Sequence, residues 1–220
     1  YFNKAYAWAS LSRYDRAAES FLEFLDIEKD NTQAICYLGD CYEHLDRYDE
    51  ALEAYKKVIE IDNTDAEGWF GAGMIYYHQN KYKEAIAYIL KALEFDRKNL
   101  DYWLNLGYIY EEDGKNKEAI KCYRHITRKD PDDKEAWLAL TGLMLKEGMF
   151  EQVVPVLREA YTHFPGEESV SVKLAVAHVM NRNTPLGFRF LEKALKINKN
   201  ILSEFEYYVP HHLQDEPIQA

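Results

Sequence analysis

The sequence predicts an all-α protein: a right-handed α-solenoid of helix-turn-helix repeats, about six units long, closed by a C-terminal capping helix. Three observations carry this reading. Trp69, Trp103 and Trp137 stand 34 residues apart, and Gly39, Gly73 and Gly107 recur at the same step. Tyr42, Tyr76 and Tyr110 repeat with them, as do Ala51, Ala85 and Ala119. Within each period the apolar residues follow helical spacing in two segments parted by a polar turn, the pattern of a helical solenoid.

Counted from three residues before the Trp position, the repeats cover residues 1–31 (partial), 32–65, 66–99, 100–133, 134–167 and 168–201, with a capping helix and tail over 202–220. Tyr1 falls inside a repeat, which predicts further repeats ahead of it. In the third repeat the spacing predicts a first helix over Glu67–Gln79, a turn at Asn80-Lys81 and a second helix over Lys83–Phe95. Gly73 and Ala85 are small because a longer side chain would push the crossing helices apart. The turn position holds Asp46, Asn80, Gly114 and Gly148, residues that tolerate the left-handed conformation at a helix end. Asp65 and Asp133 are placed as N-caps, and Pro131 and Pro165 mark where second helices stop. Pro155, inside a second helix, predicts a kink or a late start, whereas Pro185 fits a first turn. In the tail, a helix over Leu202–Tyr208 is expected to cover the sixth repeat with Leu202, Phe205 and Tyr208.

Composition bounds the function. The chain has 220 residues, 47% hydrophobic and 30% charged, enough for a folded core. No apolar run approaches the roughly 20 residues of a spanning helix, and the start lacks a signal-peptide pattern. A net charge of −11 and no basic cluster argue against nucleic acid. Cys36, Cys41 and Cys122 are three, without C-x-x-C spacing, and read as small apolar residues of a reducing compartment such as the cytoplasm.

The repeated residues resemble the tetratricopeptide repeat family, whose pattern places Trp, Leu-Gly and Tyr on the first helix, then Ala, a large apolar residue, Ala and a closing Pro on the second. The fourth repeat shows it in Trp103, Leu106-Gly107, Tyr110, Ala119, Tyr123 and Pro131. The second shows Leu38-Gly39, Tyr42, Ala51 and Tyr55, with Ile35 in the Trp place. Departures are Lys4 and Phe24 in the first repeat, Thr141, Met144 and Val153 in the fifth, and Ser171, His178 and Gly187 in the sixth. The resemblance implies that first helices line a concave groove that holds a partner peptide or helix.

The residues that the pattern leaves free on that face are Tyr37, Asp40, Glu43, His44, Phe70, Met74, Tyr77, His78, Asn105, Tyr108, Glu111 and Glu112, flanked by Phe2, Tyr6, Leu104, Leu138, Lys146, Val176 and Met180. They are rich in aromatics and Met, and in the second to fourth repeats their charges are acidic, which points to a partner protein or peptide with basic and apolar residues. Asp40 and Glu43 are the strongest candidates, whereas Glu67, Asp101 and Glu135 read as first-turn acids that favour the helix dipole. The carboxylate clamp known in some such families is absent: its places carry Phe2, Tyr6, Tyr37, Glu67 and Gly71 or, one repeat on, Cys36, Asp40, Gly71, Asp101 and Asn105. Only Asn3 and Asn105 occupy the place of an asparagine ladder. His44 and His78 share a repeat position, yet a metal site would need further converging ligands. No G-x-S-x-G, P-loop or H-E-x-x-H motif occurs, and neither catalytic residues nor a cofactor are implied. The reading is a protein-interaction scaffold; the alternatives are self-assembly, and a regulatory repeat segment of a larger protein whose catalytic domain lies elsewhere.

Overall fold

The computed structural model describes residues 1–209. Among them the regular structure is helical: α1 (Phe2–Ser10), α2 (Tyr14–Leu25), α3 (Thr32–His44), α4 (Tyr48–Ile61), α5 (Ala66–His78), α6 (Tyr82–Phe95), α7 (Leu100–Glu112), α8 (Asn116–Lys129), α9 (Lys134–Lys146), α10 (Phe150–His163), α11 (Glu168–Met180), α12 (Thr184–Ile197) and α13 (Leu202–Tyr208). A 3-10 turn at Lys199–Ile201 precedes α13. The class is an all-α helical-repeat solenoid. The chain forms two compact units, Tyr1–Lys115 and Asn116–Ala220.

The helix boundaries follow from chemistry that returns every 34 residues. Asn31 Oδ1 accepts a hydrogen bond from the Ala34 amide at 3.0 Å, Asp65 from Glu67 at 3.0 Å, Asn99 from Asp101 at 3.1 Å, and Asp133 from Ala136 at 2.9 Å. Each satisfies an N–H that the opening turn of a first helix leaves without a partner. The two aspartates are legible as caps in the sequence, and the two asparagines fill the same place. The left-handed turn residues are Ser12, Asp46, Asn80, Gly114, Gly148 and Arg182, with φ between 56° and 72°. Ser12 and Arg182 escaped the sequence reading because neither is a residue that favours that region.

The tryptophans act as clamps. Trp69 Nε1 donates to the Asn63 carbonyl at 2.9 Å, and Trp103 Nε1 to that of Arg97 at 3.1 Å; in the other unit Trp137 Nε1 donates to that of Pro131 at 2.9 Å. Each indole pins the loop six residues ahead of it while its rings pack inward.

Helix crossings explain the small residues. A Cβ on Gly73 would lie 2.8 Å from Ile89 Cγ1 and 3.3 Å from the Ala85 carbonyl oxygen, and Ala85 is fully buried. Gly187, which reads in sequence as decay of the alanine position, has a physical cause: a Cβ there would lie 2.6 Å from Val179 Cγ2 and 2.9 Å from the Ala175 carbonyl oxygen. Pro155 sits inside α10, but α10 starts at Phe150, in register with the other second helices, so the late start is not taken. Pro185 lies in the first turn of α12, as its fixed φ favours. Among the described residues no helix is long and apolar enough to cross a membrane.

Candidate functional site

In the N-terminal unit, α3, α5 and α7 present one face each to a common recess of about 450 Å³. Its floor is set by Tyr55 of α4, which is 2% exposed. A Cβ on Gly39 would lie 2.8 Å from the Tyr55 ring, and one on Gly71 would overlap it. The two glycines therefore open a channel between α3 and α5 through which the phenol reaches the recess. There the Tyr55 hydroxyl donates to Asp40 Oδ1 at 2.7 Å and lies 3.3 Å from Glu43 Oε2. Glu43 Oε1 in turn lies 3.0 Å from His78 Nε2.

The walls alternate aromatic and acidic groups. Phe70 stacks on Tyr102 with ring centroids 4.4 Å apart. Tyr37 packs edge-on against Phe2 and Tyr6 at 5.9 and 5.7 Å. Four carboxylates, Asp40, Glu43, Glu67 and Asp101, line the recess, and no lysine or arginine does. Crowding shows in the titration of Asp40. Burial of its carboxyl raises the pKa above the usual range; Glu43 and Glu67 raise it further, and the bond from Tyr55 opposes them. The residue as a whole stays exposed, and its carboxyl is part-buried where it accepts from Tyr55. Burial, then Asp40 and Glu43, hold the Tyr55 phenol neutral.

Of the residues singled out from sequence, Tyr37, Asp40, Glu43, Phe70, Met74 and Asn105 line this recess. Tyr77, Tyr108, Glu111 and Glu112 lie outside its lining, on the same helices. Tyr77 is half-buried against Tyr82, 6.1 Å between centroids, and its phenol pKa is raised by burial and then by Glu112. The Asn105 amide donates to its own helix at the Asp101 carbonyl, 2.9 Å away. His44 stacks on Tyr14 at 4.2 Å and His78 on Tyr48 at 5.3 Å, so each imidazole covers the second helix beside it. Among the described residues no group of three or more His, Cys, Asp or Glu is disposed to hold a metal ion.

In sequence Glu67 and Asp101 are set aside as first-turn acids, and Tyr55, Tyr102 and Gly71 are not placed in the groove. The two acids occupy first turns, which offered a sufficient helical reason for them. The available signal was glycine: α5 carries Gly68 and Gly71 beyond the repeat's own Gly73, and glycine in a helix interior costs about 0.5–1 kcal/mol unless something needs the space. The cysteine thiols are buried; burial pushes Cys41 and Cys122 up to about 12.

Three family models described as tetratricopeptide repeat match residues 32–65, 54–87 and 76–143, together just over half of the chain. No match is found among curated proteins. Among solved structures, YrrB, a TPR protein with an unusual peptide-binding site, is 23% identical with a TM-score of 0.70 over 84% of this chain and 95% of that one. The C-terminal part of a TPR repeat-containing protein from Cytophaga hutchinsonii is 17% identical, TM-score 0.78, over 94% and 83%. PilF of Pseudomonas aeruginosa is 15% identical, TM-score 0.72, over 94% of both chains. At these identities the likeness is one of fold. With the family models, the 34-residue period and the helix pairs in agreement, the chain belongs to the tetratricopeptide repeat family.

Proposed function

We propose that the protein is a non-catalytic interaction scaffold, and that the recess of α3, α5 and α7 receives a basic and apolar segment of a partner protein. The observation that carries this is the lining itself: four carboxylates and the faces of Tyr37, Phe70 and Met74, without a basic residue to neutralise them. A guanidinium or ammonium group inserted there would meet acids that are mutually repulsive when empty, while its stem lies on aromatic and thioether surface. Family membership supports the role, and YrrB, of the same fold, is described as having a peptide-binding site.

The test is fluorescence anisotropy of a labelled Arg/Leu peptide on the full-length protein. Reversing Asp40 and Glu43 to Lys is expected to weaken binding by at least roughly tenfold, about 1.4 kcal/mol. Reversing Glu53 and Glu60, exposed acids of α4 outside the recess, changes net charge equally and is expected to act far less. Equal effects of the two reversals, with helicity unchanged in both, would overturn the assignment.

A further inference from the structure

The C-terminal helix does not continue the array. In the C-terminal unit each first helix stacks on the second helix before it, α9 on α8 and α11 on α10. Helix α13 begins 34 residues after α11 and should by that rule stack on α12. Its main partner is α11 instead. It lies over the positions that, in the N-terminal unit, line the recess. Ser169 Oγ lies 3.1 Å from Glu204 Oε2, and Lys173 Nζ donates to Glu204 Oε1. Lys173 stands at the repeat position of Tyr37 and Asn105, and Gly142 at that of Asp40 and Met74. A Cβ on Gly142 would lie 3.3 Å from the Tyr208 hydroxyl and 3.7 Å from Lys173 Cε, so Tyr208 reaches back as far as α9.

Burial agrees. Every residue of α11 from Val170 to Val179 is buried. In α5, Phe70 and Met74, at the repeat positions of Val172 and Val176, stay half-exposed. The sequence expectation that Val176 faces an open groove is thereby corrected. The covering segment docks by one stripe only. Glu204, Phe205, Tyr208 and Val209 are covered, whereas Leu202 and Tyr207 are 40% and 68% exposed. A helix of seven residues does not hold itself in water, so α13 owes its form to the face it sits on.

We propose that the face built from Gly142, Ser169 and Lys173 is a docking surface for a short amphipathic helix of a partner bearing an acid beside an aromatic residue, and that α13 occupies it by presenting that same pattern. Lys173 is 6% exposed and meets a carboxylate there, which selects an acidic ligand. Gly142 leaves the room that an aromatic tip needs. The preference is opposite in charge to that of the recess in the N-terminal unit, and it stands or falls independently of that reading.

The probe is a labelled peptide ILSEFEYYV, the sequence of residues 201–209, titrated into the full-length protein. The resident helix competes, so wild type binds weakly. Phe205→Asp, which releases α13 without altering α9 or α11, is expected to tighten binding by roughly tenfold or more, because an occupied site lowers apparent affinity by the fraction that is open. Adding Lys173→Glu abolishes binding, and a peptide with Lys at the fourth position restores it. Three results would overturn the proposal: no gain on release, no rescue by the charge-swapped peptide, or a loss of helicity in Phe205→Asp larger than the seven residues of α13 account for, which would make α13 a structural cap. Dimers formed by exchange of α13 between copies would overturn it as well, since the occupant would then be the chain itself. Gly142→Leu, which fills the room without touching the charges, is expected to weaken the peptide against the released protein; unchanged binding counts against the geometry.

Discussion

Gly71 and Tyr55 are a matched pair: the α5 backbone passes so close over the Tyr55 ring that a single added carbon at Gly71 would overlap it. Tyr55 is fully packed, so neither partner can yield cheaply. Gly71→Ala is expected to destabilise the N-terminal unit by about 1–3 kcal/mol through overpacking. The midpoint of urea unfolding followed by circular dichroism measures it. Tyr55→Leu should relieve most of that cost when combined with Gly71→Ala, and additivity of the two changes would refute the pairing.

Asp40 should make stability depend on pH in an unusual direction for a carboxylate. Its folded pKa is raised above the ordinary 3.8, chiefly by burial. The folded state therefore holds the proton more tightly than the unfolded one. The stabilising contribution is complete below the ordinary value and is lost as pH rises through the folded one. Asp40→Asn removes it, so the variant should gain on wild type between about pH 3 and about pH 7. Urea midpoints of both proteins across that range decide the matter, and parallel curves would count against it.

His178 works the other way. It stands where other repeats carry Tyr42, Tyr76 and Tyr110, and is 5% exposed, with its ring stacked on Phe190 at 5.7 Å. Its Nε2 has no hydrogen-bond partner. Burial, and then Arg158, lower its pKa below the ordinary 6.5. Its contribution is present above that value and is lost as pH falls through the folded one. His178→Tyr should flatten the acid limb of the stability curve, as read from melting temperatures between about pH 5 and about pH 8.

The three thiols should be inert in the native protein. Cys36, Cys41 and Cys122 are buried, and burial holds each in the neutral form, which is a poor nucleophile. Ellman's reagent is expected to titrate them only after denaturant is added. Rapid reaction of any one in buffer would show that its helix opens.

Arg182 carries a left-handed backbone at φ 60°, a place that Gly114 and Gly148 fill elsewhere. Arg182→Gly should relieve about 1 kcal/mol of backbone strain and raise the melting temperature of the C-terminal unit.

The repeat itself was legible in sequence because it is local. Asp65 caps the helix that follows it, Trp69 clamps a loop six residues back, and Asn80 turns the chain within one helix pair. Each acts on neighbours along the chain, so a periodic sequence displays it directly. The fold class and the family follow from those positions. The candidate recess was half legible. Asp40, Glu43, Phe70 and Met74 were visible as residues that the pattern leaves free, but Glu67 and Asp101 were hidden behind a helical role they also fulfil.

What the chain order could not show is decided by contacts between elements far apart in it. Tyr55 becomes part of the recess only because Gly39 and Gly71, on two different helices, both withdraw from its ring. The direction of α13 depends on Glu204 finding Lys173, 31 residues away, and on Tyr208 finding the space above Gly142. Periodicity records what each repeat shares with the next. Here the two surfaces proposed for recognition arise where repeats differ, and such differences acquire meaning only when packing brings them together.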